Sequence, residues 1–217
     1  MIPDPTSRRP ATWALIPLRG LEDAKTRLGA ELDPEERYEL VVEMATRTLA
    51  AARGAEGLAG TVLVTADPAA ARLAEGFGAR TIVQRLPGLN AALREARAVA
   101  LDHGAAAILV LPIDLPAVSA TAIEAVLAAA FEHLAPDRPV VLAVPDRHGT
   151  GTNLLFVSPP GTIEPAFGEG SFATHRAATE AAGAVFVRLE GPLTLDLDTG
   201  ADLLAAEAAG AGGRGAA

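Results

Sequence analysis

The chain is expected to fold as one α/β domain, a mostly parallel mixed sheet with helices on both faces. Three observations carry that expectation. Short apolar runs alternate with stretches of helical periodicity from one end to the other, the pattern of strands feeding crossover helices. Two of the helical stretches open on Asp-Pro pairs, at Asp33-Pro34 and Asp67-Pro68, which are strong helix starts. The length, 217 residues, suits a single domain of ordinary size.

The first apolar run, Thr12–Pro17, reads as a strand. It empties into a loop bearing Arg19, Lys25 and Arg27. An α/β protein that binds nucleotides holds phosphate there, outside the carboxyl end of a strand. The loop is not a glycine-rich cradle, since Gly20 is the only glycine in the segment from Leu15 to Leu28, so cationic side chains must do much of the holding. A helix is expected over Pro34–Ala52, where Tyr38, Val41, Val42, Ala45, Leu49 and Ala52 share one face. A strand at Thr61–Thr65, a helix from Asp67-Pro68 and a strand at Thr81–Val83 follow. The remaining helices are expected at Asn90–His103, Ser119–Leu134, Ser171–Ala182 and Thr199–Ala209, with strands at Ala107–Leu111, Val140–Val144, Asn153–Val157 and Ala184–Leu189. No helical stretch separates Val140–Val144 from Asn153–Val157, which calls for an antiparallel member there. The domain is taken as residues 11–209, with 1–10 and the Gly/Ala-rich 210–217 as flexible tails.

Composition narrows the function classes. There is no cysteine, so disulfides, thiolate metal sites and cysteine nucleophiles are excluded. A net charge of −9 argues against nonspecific nucleic-acid binding and against docking on an anionic membrane. An anionic substrate then needs a local basic patch or a bridging divalent cation. The N-terminal segment has no apolar core of signal-peptide type, and Arg8-Arg9 lack a following hydrophobic region. No apolar stretch is long enough to span a bilayer, and a cytoplasmic protein is expected.

Several short constellations carry chemistry, and each has an ordinary structural explanation beside the functional one. Asp114 follows the strand-like Ile108–Leu111, where one carboxylate can bind a divalent cation or merely shape a turn before Pro116. Asp196 and Asp198, at i and i+2, point the same way if extended. A shared cation would hold both ionised, whereas helix capping explains only one of them. In the loop Asp146–Asn153, glycines allow a ligand close to the backbone and Thr150 and Thr152 offer hydroxyls; a wide hairpin turn is the plainer account. Phe167-Gly168-Glu169-Gly170-Ser171 leads into a helix that Ser171 is expected to cap, leaving free N–H groups as an anion site. Asn90 is placed to contact a ribose or base, or to cap a helix. His103, His133, His148 and His175 show no metal-ligand spacing. A Gly-x-Ser-x-Gly elbow, a Walker-type Gly-Lys-Ser/Thr and a Gly-x-Gly-x-x-Gly after a strand are absent.

Taken in order, Ile16-Pro17, Ala24-Lys25-Thr26-Arg27-Leu28, Leu89-Asn90, Asp114-Leu115-Pro116, Gly149-Thr150-Gly151-Thr152, Phe167-Gly168 with Ser171 and His175, and Asp196-Leu197-Asp198-Thr199 resemble one family. It is the guanylyltransferases of coenzyme F-420 biosynthesis (CofC/FbiD), and the resemblance spans about residues 12 to 205. It implies the fold of MobA-like nucleotidyltransferases, which is Rossmann-like. It also implies a reaction joining GTP to a small phosphorylated three-carbon acid with release of pyrophosphate. The acid is phosphoenolpyruvate, 2-phospho-L-lactate or 3-phospho-D-glycerate, with phosphoenolpyruvate placed first. By the same resemblance, Asp114, Asp196 and Asp198 hold Mg²⁺ and Thr152, Gly168 and Ser171 hold the acid. The product goes on to the enzyme that loads the deazaflavin precursor. The family often carries glycine just before the metal-binding Asp-Leu-Pro, whereas Pro112-Ile113 stand there in this chain, a change that can reshape the acceptor pocket.

The chemistry suits the charges. The acceptor phosphate is already ionised, so no nucleophile or general base need come from the protein. Arg19, Lys25, Arg27 and Asn90 are the expected nucleotide contacts, and Lys25, Arg27 and Asp114 the expected catalytic groups. Two rivals remain at this point: another MobA-like transferase, which would open with a glycine-rich loop, and a non-catalytic GTP-binding module, which would lack the aspartates. The oligomeric state, a homodimer included, is left open by the sequence.

Overall fold

The computed structural model describes residues 9–22, 24–25, 28–29 and 31–208. The outer parts of both expected tails, 1–8 and 209–217, and the candidate phosphate contact Arg27 lie outside the described residues. Seven strands form one sheet: β1 (Thr12–Pro17), β2 (Leu58–Thr65), β3 (Arg80–Val83), β4 (Ala107–Val110), β5 (Val140–Pro145), β6 (Thr152–Ser158) and β7 (Val185–Arg188). Between and after them come α1 (Pro34–Gly54), α2 (Pro68–Gly76), α3 (Leu89–Asp102), α4 (Ala120–Phe131), α5 (Ser171–Ala181) and α6 (Gly200–Ala208). Every expected element is present, with ends displaced by at most three residues; the largest shifts are the earlier start of β2 and the earlier end of α4.

The strand order is β3-β2-β1-β4-β6-β5-β7. β1 pairs in parallel with β2 on one side and with β4 on the other. The order therefore reverses at β1, and a crevice opens outside the carboxyl ends of β1 and β4. β6 is the antiparallel member, paired against both β4 and β5. Its first residue, Thr152, consequently arrives at the same edge at which β1 and β4 end.

Alternation along the strands divides the core into two layers. Ala14 and Ile16 of β1, Leu109 of β4, Leu142 of β5 and Phe156 of β6 face a cluster closed by α1, α2, α4 and α6. Their neighbours Trp13, Leu15, Val110, Val141 and Leu155 face a second cluster, covered by α3 and by Phe172 of α5. Local signals set the helix starts. Asp33 accepts from the N–H groups of Glu35 and Glu36, while Glu36 accepts from the N–H of Asp33, a capping box. Asp67 caps α2 through Ala69 N–H and also accepts from Leu21 N–H at 2.9 Å, which ties the loop after β1 to the start of α2.

Ser171 departs from expectation. The N-cap of α5 is Gly170, in the left-handed region at φ 68°, and no side chain caps this helix. Gly170 takes the role because the chain turns there through a conformation that a serine rarely adopts. The N–H groups of Ser171 and Phe172 are bonded to the carbonyls of Gly168 and Thr150, so these two are not available to an anion.

Gly60 of β2 lies opposite Trp13, and a Cβ at that position would stand 2.6 Å from the indole. Gly60→Ala is therefore expected to destabilise the fold by about 1–3 kcal/mol through overpacking, read as a lower urea midpoint at unchanged m-value.

Candidate active site

The crevice at the strand switch is a cleft of about 230 Å³. Asp114, Asp196, Thr152, Gly168 and Ser171 all line it, together with Pro17, Pro112, Asp146 and Asn153. Five residues that the sequence spreads over more than eighty positions thus share one cavity. A smaller cleft of about 120 Å³ adjoins it across Pro17 and Leu89, lined by Arg19, Val64, Gln84 and Gly88. Arg19 is exposed there.

Backbone geometry brings the three aspartates together. The N–H of Leu197 donates to the carbonyl of Asp114 at 2.9 Å, laying the segment before α6 beside the loop after β4. Leu197 is buried in the core, and Asp196 lines the cleft. Asp202 fixes the far end of that segment. Its carboxylate accepts from the N–H groups of Asp198 and Thr199 and from the Thr199 hydroxyl, and it pairs with Arg147 at 2.6 Å. Although burial opposes it, these donors hold the Asp202 carboxyl below its usual range.

Lys25 is the charge that holds this edge together. Its Nζ donates to Asp114 Oδ2 at 2.7 Å and to Asp198 Oδ1 at 2.6 Å, and its side chain is only 9% exposed. Its backbone sits at φ 57°, a conformation that non-glycine residues seldom adopt. Burial pulls the ammonium down, but Asp114 and Asp198 outweigh it and leave the pKa above its ordinary value. Asp196 is in the opposite position. Burial, and then the charges of Asp114 and Asp198, push its carboxyl upward.

The donor set suits a hard divalent cation: three carboxylates at one edge, of which Asp196 is held at an electrostatic cost that added positive charge would relieve. They do not form a closed cage, for among the described residues no group of three acidic or histidine side chains is arranged around a common ion position. Lys25 lies between two of the three.

The opposite wall is built on one imidazole. His175 of α5 is fully buried, its Nε2 accepts from Ala166 N–H at 3.0 Å, and its Nδ1 meets Thr152 Oγ1 at 3.0 Å. Its ring stands edge-to-face with Phe167, the centroids 5.0 Å apart. Burial lowers its pKa from 6.5 to about 4. Asn90 is not the N-cap of α3, which is Gly88. The Asn90 amide donates to Phe167 O at 3.0 Å and accepts from Phe167 N–H at 2.8 Å. Those bonds pin the 166–168 segment to α3. Gly168, at φ 134°, has the backbone freedom that only glycine offers. Pro112 lines the cleft, whereas Ile113 is packed into the core.

Sequence reasoning gave no role to His175, Asn153 or Asp202. His175 lies one helical turn after Ser171, a spacing that puts both on one face. Thr199-x-x-Asp202 has the spacing of a capping box. Asn153, whose amide donates to Leu193 O at 3.1 Å, carried no local signal.

A family model described as "Guanylyl transferase CofC like" matches residues 12–214. The chain is 41% identical over 194 residues to a phosphoenolpyruvate guanylyltransferase of Sphaerobacter thermophilus, covering 88% of this chain and 90% of that one. It is 40% identical over 201 residues to a protein of the same description from Rubrobacter xylanophilus, covering 92% and 95%. Among solved structures it resembles a putative nucleotide-diphospho-sugar transferase from Desulfovibrio desulfuricans G20, with a TM-score of 0.63, 17% identity and coverage of 88% and 83%. At that identity the likeness is one of fold.

The depressed pKa of His175 makes a stability prediction. Unfolded, the imidazole protonates near 6.5; folded, it stays neutral down to about 4. The unfolded chain thus binds the extra proton between these values, so stability is fully present above about 6.5 and falls as pH drops toward 4. The loss attributable to this group is about 3 kcal/mol at most. Urea unfolding of wild type and His175→Gln across this range is expected to show the steeper acid decline in wild type; parallel curves would refute it.

Proposed function

The chain belongs to the CofC-like guanylyl transferase family, and on that premise we propose that it joins GTP to phosphoenolpyruvate with release of pyrophosphate. A phosphate oxygen of phosphoenolpyruvate attacks the α-phosphorus of GTP. The bond from that phosphorus to the α–β bridging oxygen breaks, and pyrophosphate leaves with the electron pair. The product is enolpyruvyl-diphospho-guanosine. In this reading it passes, in the cytoplasm, to the transferase that loads the deazaflavin precursor.

The observation that carries the reading is the shared cleft. Asp114 and Asp196 line its β1/β4 side, with Lys25 bonded to Asp114 and Asp198 beside them, and Thr152, Gly168 and Ser171 line its β6/α5 side. Two polyanions can enter from the two sides and meet over the carboxylates. On the first side, Lys25 holds the triphosphate and stabilises the departing pyrophosphate, the role the sequence also gives Arg27. Arg19 and the smaller cleft take the nucleoside. On the second side, the Thr152 and Ser171 hydroxyls and the backbone at Gly168 take the acid. Mg²⁺, held by Asp114, Asp196 and Asp198, would supply charge neutralisation at the attacking and leaving oxygens. No side chain need remove a proton, because the attacking phosphate is anionic at neutral pH.

Incubation with GTP, Mg²⁺ and each of phosphoenolpyruvate, 2-phospho-L-lactate and 3-phospho-D-glycerate is expected to release pyrophosphate fastest with the first, with a product of matching mass. No turnover with any acid would sink the reading. Asp196→Asn is expected to lower kcat by about 10²–10³-fold, the scale for losing a charge-stabilising group, while circular dichroism stays native. Activity near wild type would remove Asp196 from the proposed metal set.

A further inference from the structure

We infer that His175 is a positioning residue that makes the Thr152 hydroxyl an obligate hydrogen-bond donor to the acid, and so sets that subsite's preference for an oxyanion. The inference rests on the proposed placement of the acid beside Thr152 and deepens it.

A backbone N–H can only donate. The Ala166 N–H therefore fixes His175 Nε2 as an acceptor. A neutral imidazole carries one proton, which must then sit on Nδ1. Nδ1 faces Thr152 Oγ1 at 3.0 Å, so it donates to that oxygen. One lone pair of Oγ1 is thereby occupied, and the hydroxyl's own proton is left to point elsewhere. Thr152 lines the cleft. The opposite tautomer would draw the threonine proton toward the ring and leave oxygen lone pairs facing an arriving anion.

The same ring ties two segments of this side together. Ala166 leads into Phe167-Gly168, which line the cleft with Thr152 and which Asn90 pins to α3. Thr179 Oγ1 donates to the His175 carbonyl at 2.7 Å, within α5. The imidazole is fully buried and therefore acts on the acid only through Thr152 and the Ala166 backbone.

The test separates the two ring nitrogens. In His175→Asn the amide N–H₂ takes the place of Nδ1–H and keeps the donation to Thr152. In His175→Gln the longer amide takes the place of Nε2 and loses that donation. His175→Gln is expected to raise the KM for phosphoenolpyruvate about 10- to 100-fold, the scale of one hydrogen bond to a charged group. Its KM for GTP and its kcat should change by less than about threefold. His175→Asn should recover most of the loss. In a Thr152→Val background, which removes the hydroxyl, His175→Gln should add nothing further. Equal rises in both KM values, or additivity in the Thr152→Val background, would overturn the inference.

A second measurement needs no turnover. The ¹⁵N shifts of His175 in the ligand-free wild-type protein should report a protonated Nδ1 and an acceptor Nε2; the reverse tautomer would overturn the inference even if every variant were too unstable to assay. A wild-type protein with the expected tautomer but no turnover with any acid would count against the proposed reaction, and the tautomer would still support the donor role of Thr152.

Discussion

Asp114, Asp196 and Asp198 stand within electrostatic reach of one another at the carboxyl edge of the sheet, and their mutual repulsion must be answered locally. A chain of net charge −9 offers no general relief. Lys25 answers for two of the three, bonding Asp114 and Asp198 from a buried position and from a backbone conformation unusual for lysine. Asp196 is left with a carboxyl pushed upward by burial and by its neighbours. The edge is therefore charged but incompletely compensated, which is a state poised for an added cation. Around it the connections are two hydrogen bonds and an ion pair, all short-range: Leu197 to Asp114, Thr199 to Asp202, Arg147 to Asp202. The loop after β1, the loop after β4 and the segment before α6 are held in register by these few bonds.

Much of the fold was legible in the sequence, because strand and helix periodicities are local properties. The antiparallel β6 was legible too, from the missing helix between two apolar runs. Asp114 was readable from its place just beyond a strand, and the Asp196-x-Asp198 spacing from the alternation of an extended chain. What local reading could not supply was partnership. Lys25 pairs with carboxylates 89 and 173 positions away, and Asn90 spends its amide on Phe167, 77 positions on. A residue's neighbours in space decide whether its polar atoms face a ligand or the protein. Ser171 shows the same limit over a shorter range. Serine is a good cap in general, but the turn ahead of α5 needs a left-handed residue and Gly170 supplies it.

The two sides of the cleft differ in how they are made. The β1/β4 side is charged, and ion pairs hold it. The β6/α5 side is held by directional hydrogen bonds, from Ala166 through His175 to Thr152 and from Asn90 to Phe167. Ion pairs tolerate changes of angle and can exchange partners when a competing charge arrives. A hydrogen-bonded neutral network fixes orientation. One side is thus suited to taking up a polyanion with its counter-ion, and the other to discriminating among small acids of similar charge.

β6 is the strand that runs against the rest of the sheet. Its seven residues, at roughly 3.3 Å each, make a rod of about 20 Å. Were its direction reversed, Thr152 would lie that far from the ends of β1 and β4, and the loop carrying Asp146 to Gly151 would have to cross a face of the sheet. The single inversion of chain direction instead brings both proposed reactant subsites to one edge over a hairpin loop of six residues, Asp146–Gly151. In the proposed reaction, topology performs the work of proximity: two molecules that would meet rarely in solution are held as neighbours by the polarity of one strand.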